Sequence, residues 1–466
     1  MIARNLRGLS AGVCLFVLEL VLLVLAWPIA ADVALSPLPV ERRAGPLPLA
    51  LFIAFHLLFA YALGLYQREA LLETRRSLGR VPIAAGLGTI PAAMSAAFLP
   101  SPFAAQGSAT LFATSLILFS LLGWLARVLM YALIERGAFR RRVLVIGAGA
   151  RAWELALLLR REGRSVAVET VFAHHPALGT VDPRLADDPA VRVVDATGGF
   201  VDIAREIDAD QVVVAPDERR GMPMEALLAC RTGGFPVYEY QRFLEKEIGR
   251  IDMKRLDYAS LLYADGFTFT AVDLFLKRAL DILVSTVLLF LTAPFLGAAA
   301  LAVRLQDGGP ALYRQARVTR AGRVFQILKL RTMTQNAETG GAVWAQQGDP
   351  RVTRIGRFLR RSRIDELPQL VNILKGDMSF VGPRPERPEF VAELAEKLPL
   401  YNERHLVRAG LTGWAQINYP YGASLDDARS KLSYDLFYVK NFSVLFDVLI
   451  ILQTLRVVLW PGSGVR

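Results

Sequence analysis

Hydrophobic and polar positions change rhythm twice along this chain. Four apolar stretches, at about 11–31, 47–66, 81–99 and 109–134, fill the first third. Each approaches the roughly 20 residues that a helix needs to cross the hydrocarbon core of a bilayer. The third pattern is the weakest, with Pro82, Pro91 and many small residues. The first is too long for a removable signal peptide and has too weak a cleavage signature. Beyond Arg142 the pattern turns to soluble α/β. Val143–Ile146 is a buried-strand run, and further strand-like runs follow at Val166–Phe172, Val191–Val194, Gln211–Ala215 and Val237–Tyr240. Helical patterns lie between them, which predicts a parallel, Rossmann-like domain over about 140–250. Apolar runs return at 279–303 and, interrupted by Asp447, Gln453 and Arg456, at Phe442–Trp460.

Charge orients these segments. Arg4 and Arg7 precede the first apolar stretch, Arg68, Arg75, Arg76 and Arg80 separate the second from the third, and Arg136 and Arg140–Arg142 follow the fourth. The opposite side carries Arg42 and Arg43 in one loop and no charge in the other. The excess of arginine places both ends of a four-helix transmembrane bundle in the cytoplasm. Glu19, inside the first stretch, marks a polar site or a helix–helix hydrogen bond. The 279–303 run has Lys277-Arg278 on one flank and Arg304 on the other, with Pro294 inside it. Basic residues at both ends and a proline that removes a backbone hydrogen bond predict a helix–break–helix that enters and leaves by one face. A kinked full span is the alternative. The last run reads as an interfacial helix.

With 466 residues, two or three units are expected. The 53% hydrophobic content and positive mean hydropathy mean that some are not soluble. A net charge of +11 suits an anionic membrane face, and no zinc spacing, aromatic-basic motif or basic tail supports nucleic acid. Two cysteines, Cys14 and Cys230, are too few for a disulfide framework and read as packing residues.

Two segments carry candidate chemistry. After the first strand, Gly147-Ala148-Gly149-Ala150-Arg151-Ala152 matches G-x-G-x-x-A at a helix start, a possible nucleotide-binding turn formed by Gly147 and Gly149. The acidic residue expected about 20 positions on would be Glu169, which stands poorly in its strand. The domain therefore either binds a nucleotide or keeps the fold for docking or regulation. His174-His175 has no accompanying ligand at metal spacing and reads as an exposed turn. The second segment runs from Arg351 to Arg387. Six arginines (Arg351, Arg354, Arg357, Arg360, Arg361, Arg363), interrupted by no acid, lead into Asp365-Glu366-Leu367-Pro368, and Gly382-Pro383-Arg384-Pro385 follows. Adjacent carboxylates suit a divalent cation and clustered guanidiniums suit phosphate oxygens. Asp365 also reads as a helix cap ahead of Pro368.

From about Phe267 onward these motifs resemble the bacterial sugar transferases that move a hexose-1-phosphate onto polyprenyl phosphate. The resemblance rests on Lys277–Ile282, Gly309–Gln315, Lys329–Met333, Asp365–Leu370, Lys375–Glu386 and Gly410–Gln416, in that order. The N-terminal spans and Rossmann-like domain resemble the large monotopic phosphoglycosyl transferases that initiate exopolysaccharide assembly. The resemblance implies that Asp365 is the nucleophile on the sugar-linked phosphorus of a UDP-sugar, releasing UMP, and that undecaprenyl phosphate then takes the phosphosugar. It implies that Asp365 and Glu366 bind Mg2+, that Arg360 and Arg384 bind phosphate with Lys329 and Arg331 as further candidates, and that Pro294 breaks the membrane helix. It implies glucose or galactose as the sugar, a homodimer, and the cytoplasmic face of the bacterial inner membrane. Ala293, Ala409 and Leu330 depart from the family pattern, which often has Ser, Pro and an aromatic there. His405 matches it and reads as structural.

The expected architecture is a multi-domain membrane protein: four transmembrane helices at 1–138, a Rossmann-like cytoplasmic domain and linker at 139–266, and an α/β catalytic domain at 267–466 with a re-entrant helix at 273–305. Two rivals stand beside the transferase. A membrane-bound nucleotide-sugar dehydratase or epimerase needs Tyr-x-x-x-Lys, and no Tyr here has Lys four residues on. A non-catalytic scaffold of a polysaccharide export assembly would use the arginines only to grip anionic lipid.

Overall fold

A computed structural model describes residues 10–35, 46–97, 108–163, 165–197, 199–218, 220–254, 266–335, 349–419, 422 and 424–459. Arg4, Arg7, Arg42, Arg43 and Trp460 lie outside the described residues. The chain divides into two compact units, Met1–Gly249 and Arg250–Arg466. The division falls ahead of residue 267 because Ile251 and Met253 are buried with Leu394, Leu398, Tyr401, Leu432 and Leu436 of the second unit.

In the first unit the apolar stretches form helices α1 (Ala11–Leu35), α2 (Pro46–Ala62), α3 (Thr74–Ala97) and α4 (Ser108–Glu135). Pro82 and Pro91 lie inside α3 without ending it. Leu23, Phe52, Ile53, Leu57, Ala85, Ala92 and Phe119, drawn from all four helices, share one buried cluster. Glu19 of α1 pairs there with Arg127 of α4 and accepts a hydrogen bond from Tyr66. That resolves Glu19 as a helix–helix contact, since a buried carboxylate needs a partner.

The same unit holds a five-stranded parallel sheet of β1 (Arg140–Ile146), β2 (Ala167–His174), β3 (Arg192–Asp195), β4 (Gln211–Val214) and β5 (Val237–Glu239), in the order β3-β2-β1-β4-β5. Continuous apolar β-branched runs form these strands because helices cover both faces. Val143 and Val145 face one buried cluster and Leu144 and Ile146 the other. Helix α5 (Ala150–Glu162) follows β1. The exposed-turn reading holds only for His175, which accepts from the Ala177 N–H at the turn that follows. His174 instead ends strand β2, accepts at its carbonyl from Ala196 N and bonds the Gly179 carbonyl through its ring. Cys230 is fully buried and both cysteines are free thiols.

The second unit opens with α6 (Ala271–Asp307), started by a Thr270–Asp273 capping box and ended by Gly308 in the left-handed region. Its 37 residues correspond to a contour of about 55 Å. The expected break at Pro294 is absent: the helix continues through it. A proline deprives one carbonyl of its partner and bends a helix more readily than it ends one. Along its middle, Leu283, Val287, Phe290, Leu291 and Phe295 are exposed. Both ends nevertheless pack on the same unit. Near the start, Lys277 is buried on Asp447, 2.6 Å away, and Asp281 accepts from Ser379 Oγ and Phe380 N. Near the end, Ala299 and Val303 pack with Leu330 and Leu359.

Around this helix stand the antiparallel hairpin β6 (Leu312–Val318) and β7 (Val324–Leu330), the arginine helix α7 (Arg354–Arg361), α8 (Gln369–Lys375), the parallel pair β8 (Ser379–Val381) and β9 (Gly410–Thr412), and helices α9 (Leu425–Lys440) and α10 (Val444–Leu459). In α10, the Asp447 and Arg456 that interrupt the apolar pattern are buried against the unit rather than turned to water. Ala409 uses the N–H that a proline would lack, donating it to Thr319 Oγ1 at 3.2 Å.

Candidate active site

Asp365 and Glu366 lie in a 3-10 turn, Ile364–Glu366, between α7 and α8. Arg363 enters it in the left-handed region, with φ at 59°. That conformation is uncommon for a side chain larger than Asn or Asp and marks a constrained position. The capping reading of Asp365 does not hold: α8 begins at Gln369, with Pro368 ahead of it and no side chain capping it. Asp365 is buried, and its Oδ1 has no hydrogen-bond partner.

Three elements bring cations to Glu366. Strand alternation puts Lys329 on the face of β7 that carries Phe325 and Ile327, so its ammonium reaches the rim of the core, 3.6 Å from Glu366 Oε1. Arg384 approaches the same oxygen at 3.3 Å, and Arg363 lies 3.6 Å from Oε2. The turn that carries Arg384 is fixed from both sides. Gly382 donates its N–H to the Thr412 carbonyl, Gly410 donates to the Pro383 carbonyl, and a Cβ on Gly382 would collide with the Arg408 carbonyl. Arg404, paired with buried Asp435 at 2.7 Å, donates to the Arg384 carbonyl at 3.0 Å.

These surroundings push the two carboxyls apart. Burial and the neighbouring Glu366 charge raise Asp365 to about 6, against the opposing pull of Lys329, Arg360 and Arg363. Burial acts upward on Glu366 too, but Arg384, Lys329 and Arg363 overcome it and hold that group at about 2. Burial also lowers Lys329, with Glu366 opposing. Near neutrality one carboxylate is fixed by cations and its neighbour is ionised with one oxygen unpaired, a nucleophile's setting.

Among the described residues no group of three His, Cys, Asp or Glu stands ready for a metal. A magnesium ion held through substrate phosphates needs only one or two carboxylates. The partnerless Asp365 oxygen beside Glu366 fits that donor set, although Glu366 already faces three cations.

Of the other candidates, Arg360 donates from Nε to Thr332 Oγ1 at 2.9 Å and lies close enough to act on Asp365. Arg331 is directed elsewhere, onto Asp307 and the Val303 carbonyl, where it ties β7 to the end of α6. His405 is buried edge-on to Tyr401, and burial and Arg404 lower it to about 4, in keeping with a structural role. In the sequence reading Arg363 is only one of six clustered arginines, and Arg404 and Arg317 have no site role. Arg317 bonds the Pro385 carbonyl at 3.0 Å and pairs with Glu386, whose place directly after Gly-Pro-Arg-Pro was the available signal.

The family described as bacterial sugar transferase matches residues 272–461. The exopolysaccharide production protein PSS of Rhizobium leguminosarum bv. phaseoli is 41% identical over 199 residues, 41% of this chain and 100% of that relative. The chain belongs to the bacterial sugar transferase family. Two relatives align over longer stretches. The UDP-N-acetylgalactosamine-undecaprenyl-phosphate N-acetylgalactosaminephosphotransferase of Aeromonas hydrophila is 39% identical over 293 residues, covering 63% of this chain and 65% of that protein. The undecaprenyl-phosphate glucose phosphotransferase of Komagataeibacter xylinus is 34% identical over 324 residues, covering 68% and 58%. The chain thus spans less than two thirds of either relative's length. The bacterial sugar transferase segment contains Pro294, Lys329, Arg331, Arg360, Asp365, Glu366 and Arg384, and leaves Gly147 and Gly149 outside it.

Proposed function

We propose that this bacterial sugar transferase moves a sugar-1-phosphate from a UDP-sugar to undecaprenyl phosphate, the first step of lipid-linked polysaccharide synthesis. The observation that carries the reading is the buried, partnerless Asp365 oxygen beside a Glu366 held by three cations. The names of the Aeromonas and Komagataeibacter relatives support the substrate classes.

In the first step an Asp365 oxygen attacks the sugar-linked phosphorus. The new O–P bond replaces the bond to the bridging oxygen, which leaves with its electron pair as UMP. In the second step an oxygen of undecaprenyl phosphate attacks the acyl phosphate, and Asp365 departs as a carboxylate. Arg384, Lys329 and Arg360 hold the diphosphate oxygens, and Glu366 keeps Lys329 and Arg384 aimed. Asp365 and Glu366 would hold Mg2+, which neutralises diphosphate charge when bound.

The lipid acceptor requires a site at the bilayer surface. Among the described residues, two helical segments are long and apolar enough to cross a membrane, Ala113–Glu135 and Ala271–Asp307. We read helices α1 to α4 as a transmembrane bundle. The exposed apolar middle of α6, which runs unbroken through Pro294, supports a helix seated in the bilayer. Exposed Arg354, Arg357 and Arg361 on α7 would then meet anionic headgroups of the cytoplasmic leaflet.

UMP release by the purified protein tests the reaction, with Mg2+, undecaprenyl phosphate and a panel of UDP-sugars, wild type beside Asp365→Asn. Release with one sugar, abolished by the substitution and by excess chelator, is expected. A folded wild type silent across the panel would refute the assignment, and full turnover in chelator would remove the metal.

A further inference from the structure

The glycine turn after β1 has the shape of an anion seat. Sheet order puts the crevice of this parallel sheet beyond the carboxyl ends of β1 and β4, where such folds bind nucleotides. Gly147 has φ at +112°, and a Cβ there would lie 2.7 Å from the Ala215 carbonyl oxygen. The helix that follows, α5, presents the first N–H groups of its opening turn, which no helical carbonyl can satisfy.

Those groups are already bonded. Ala150 N donates to Asp217 Oδ2 at 2.8 Å, and Arg151 N donates to Asp217 Oδ1 at 2.7 Å. A Cβ on Gly149 would collide with the same carboxylate. The bare Gly149, which in a dinucleotide fold admits a pyrophosphate, here admits a side chain. Asp217 arrives in the loop after β4, from the opposite side of the crevice. Asp182 N also closes on the Ala148 carbonyl, at 2.8 Å.

Among the described residues, the position of the ribose-binding acid is not acidic. Glu169 lies near the amino end of β2, opposite Arg142 in register and near Arg140 and Arg142. The carboxyl end of β2 carries His174, with His175 next, where a ribose-binding acid would stand.

We propose that Asp217 is the resident anion of this turn: its carboxylate takes the place of a ligand phosphate, and the domain binds no phosphate-bearing nucleotide while it is seated. The turn then locks the end of β4 to the start of α5, and the Rossmann-like fold serves as a scaffold. This inference stands apart from the transferase reading, because Asp217 lies in the other unit from Asp365.

The test is thermal unfolding of the full chain in detergent, titrated with inorganic phosphate, NAD+ and NADP+. Wild type, Asp217→Ala and Asp217→Asn are compared, and the readout is the difference from wild type, which cancels phosphate binding elsewhere. Asp217→Ala should begin at a lower midpoint and gain a saturable rise with phosphate or dinucleotide that wild type lacks. A wild type stabilised as strongly as Asp217→Ala would overturn the proposal, since the carboxylate would then yield its place. A folded Asp217→Ala with no such rise would overturn it too. Should Asp217→Ala not fold, Asp217→Asn decides in the same way: a rise absent from wild type supports the seat, and its absence refutes it.

Discussion

Asp365 sits where one of its oxygens finds no partner, and its carboxyl is raised to about 6 from an ordinary 3.8. Rate and stability should therefore respond to pH with opposite signs. The folded chain keeps a proton that the unfolded chain releases, so Asp365's contribution to stability is greatest below pH 4 and is lost as pH climbs through about 6. At neutral pH the ionised group costs the fold about 3 kcal/mol. Glu366 behaves conversely. Held at about 2, its stabilising share is present above the ordinary carboxylate range and is lost only toward that value. Asp365→Asn should thus abolish turnover while raising stability at pH 7.5 by about 1–3 kcal/mol. The gain should vanish near pH 4, and wild-type kcat/KM should rise to a plateau above pH 6, the apparent value belonging to the pair. Thermal midpoints of both proteins across this range check it. A substitution that destabilises at neutral pH would contradict the strained nucleophile.

The two helices that frame the second unit are joined through one buried ion pair. Lys277 of α6 reaches Asp447 of α10 at 2.6 Å, donates to the Val381 carbonyl at 3.0 Å and touches Tyr438, whose hydroxyl donates to Asp447 at 2.7 Å. Breaking such a pair leaves a buried charge alone, at about 3–5 kcal/mol, whereas replacing both partners with apolar groups is close to neutral. Lys277→Met should therefore lower the unfolding midpoint sharply, and Lys277→Met with Asp447→Leu should recover most of the loss. Equal midpoints for the single and double variants would show the pair to be uncoupled. This contact also shows what the sequence could disclose. The five strands of the parallel sheet were legible to within a few residues because apolar β-branched runs are local signals, whereas β6 to β9 of the second unit were not read. The candidates Asp365, Glu366 and Arg384 stood out because each lies in a compact motif. Asp447 read as a polar interruption at the water surface because its partner is 170 positions away. The same distance problem hid the turn of Arg331 toward Asp307 and the reach of Asp217 to the start of α5. Pro294 was read as a break because a sequence shows the lost hydrogen bond and not the packing at both helix ends that keeps α6 together.

At the scale of the whole chain, the catalytic candidates fall within one compact unit, Arg250–Arg466, and the Rhizobium relative aligns over its full length with only 199 residues. A fragment comprising 250–466 should therefore release UMP in an Asp365-dependent manner without the first unit. Where the fragment starts should matter. Ile251 donates its N–H to the Ser433 carbonyl at 3.1 Å, Arg250 stacks over Tyr434, and Ile251 and Met253 fill a cluster against Leu394, Leu398 and Leu436. Beginning at residue 267 uncovers that cluster, and each buried aliphatic side chain contributes about 1.5–3 kcal/mol. The shorter fragment should unfold earlier by about 3–5 kcal/mol and lose turnover through instability, with KM for the UDP-sugar little changed in the protein that remains folded. Parallel measurement of midpoint and kinetics on both fragments separates the two effects. If 250–466 folds to the wild-type midpoint yet releases no UMP, the four helices or the Rossmann-like sheet must contribute to the site itself, by seating the unit on the bilayer or by completing it.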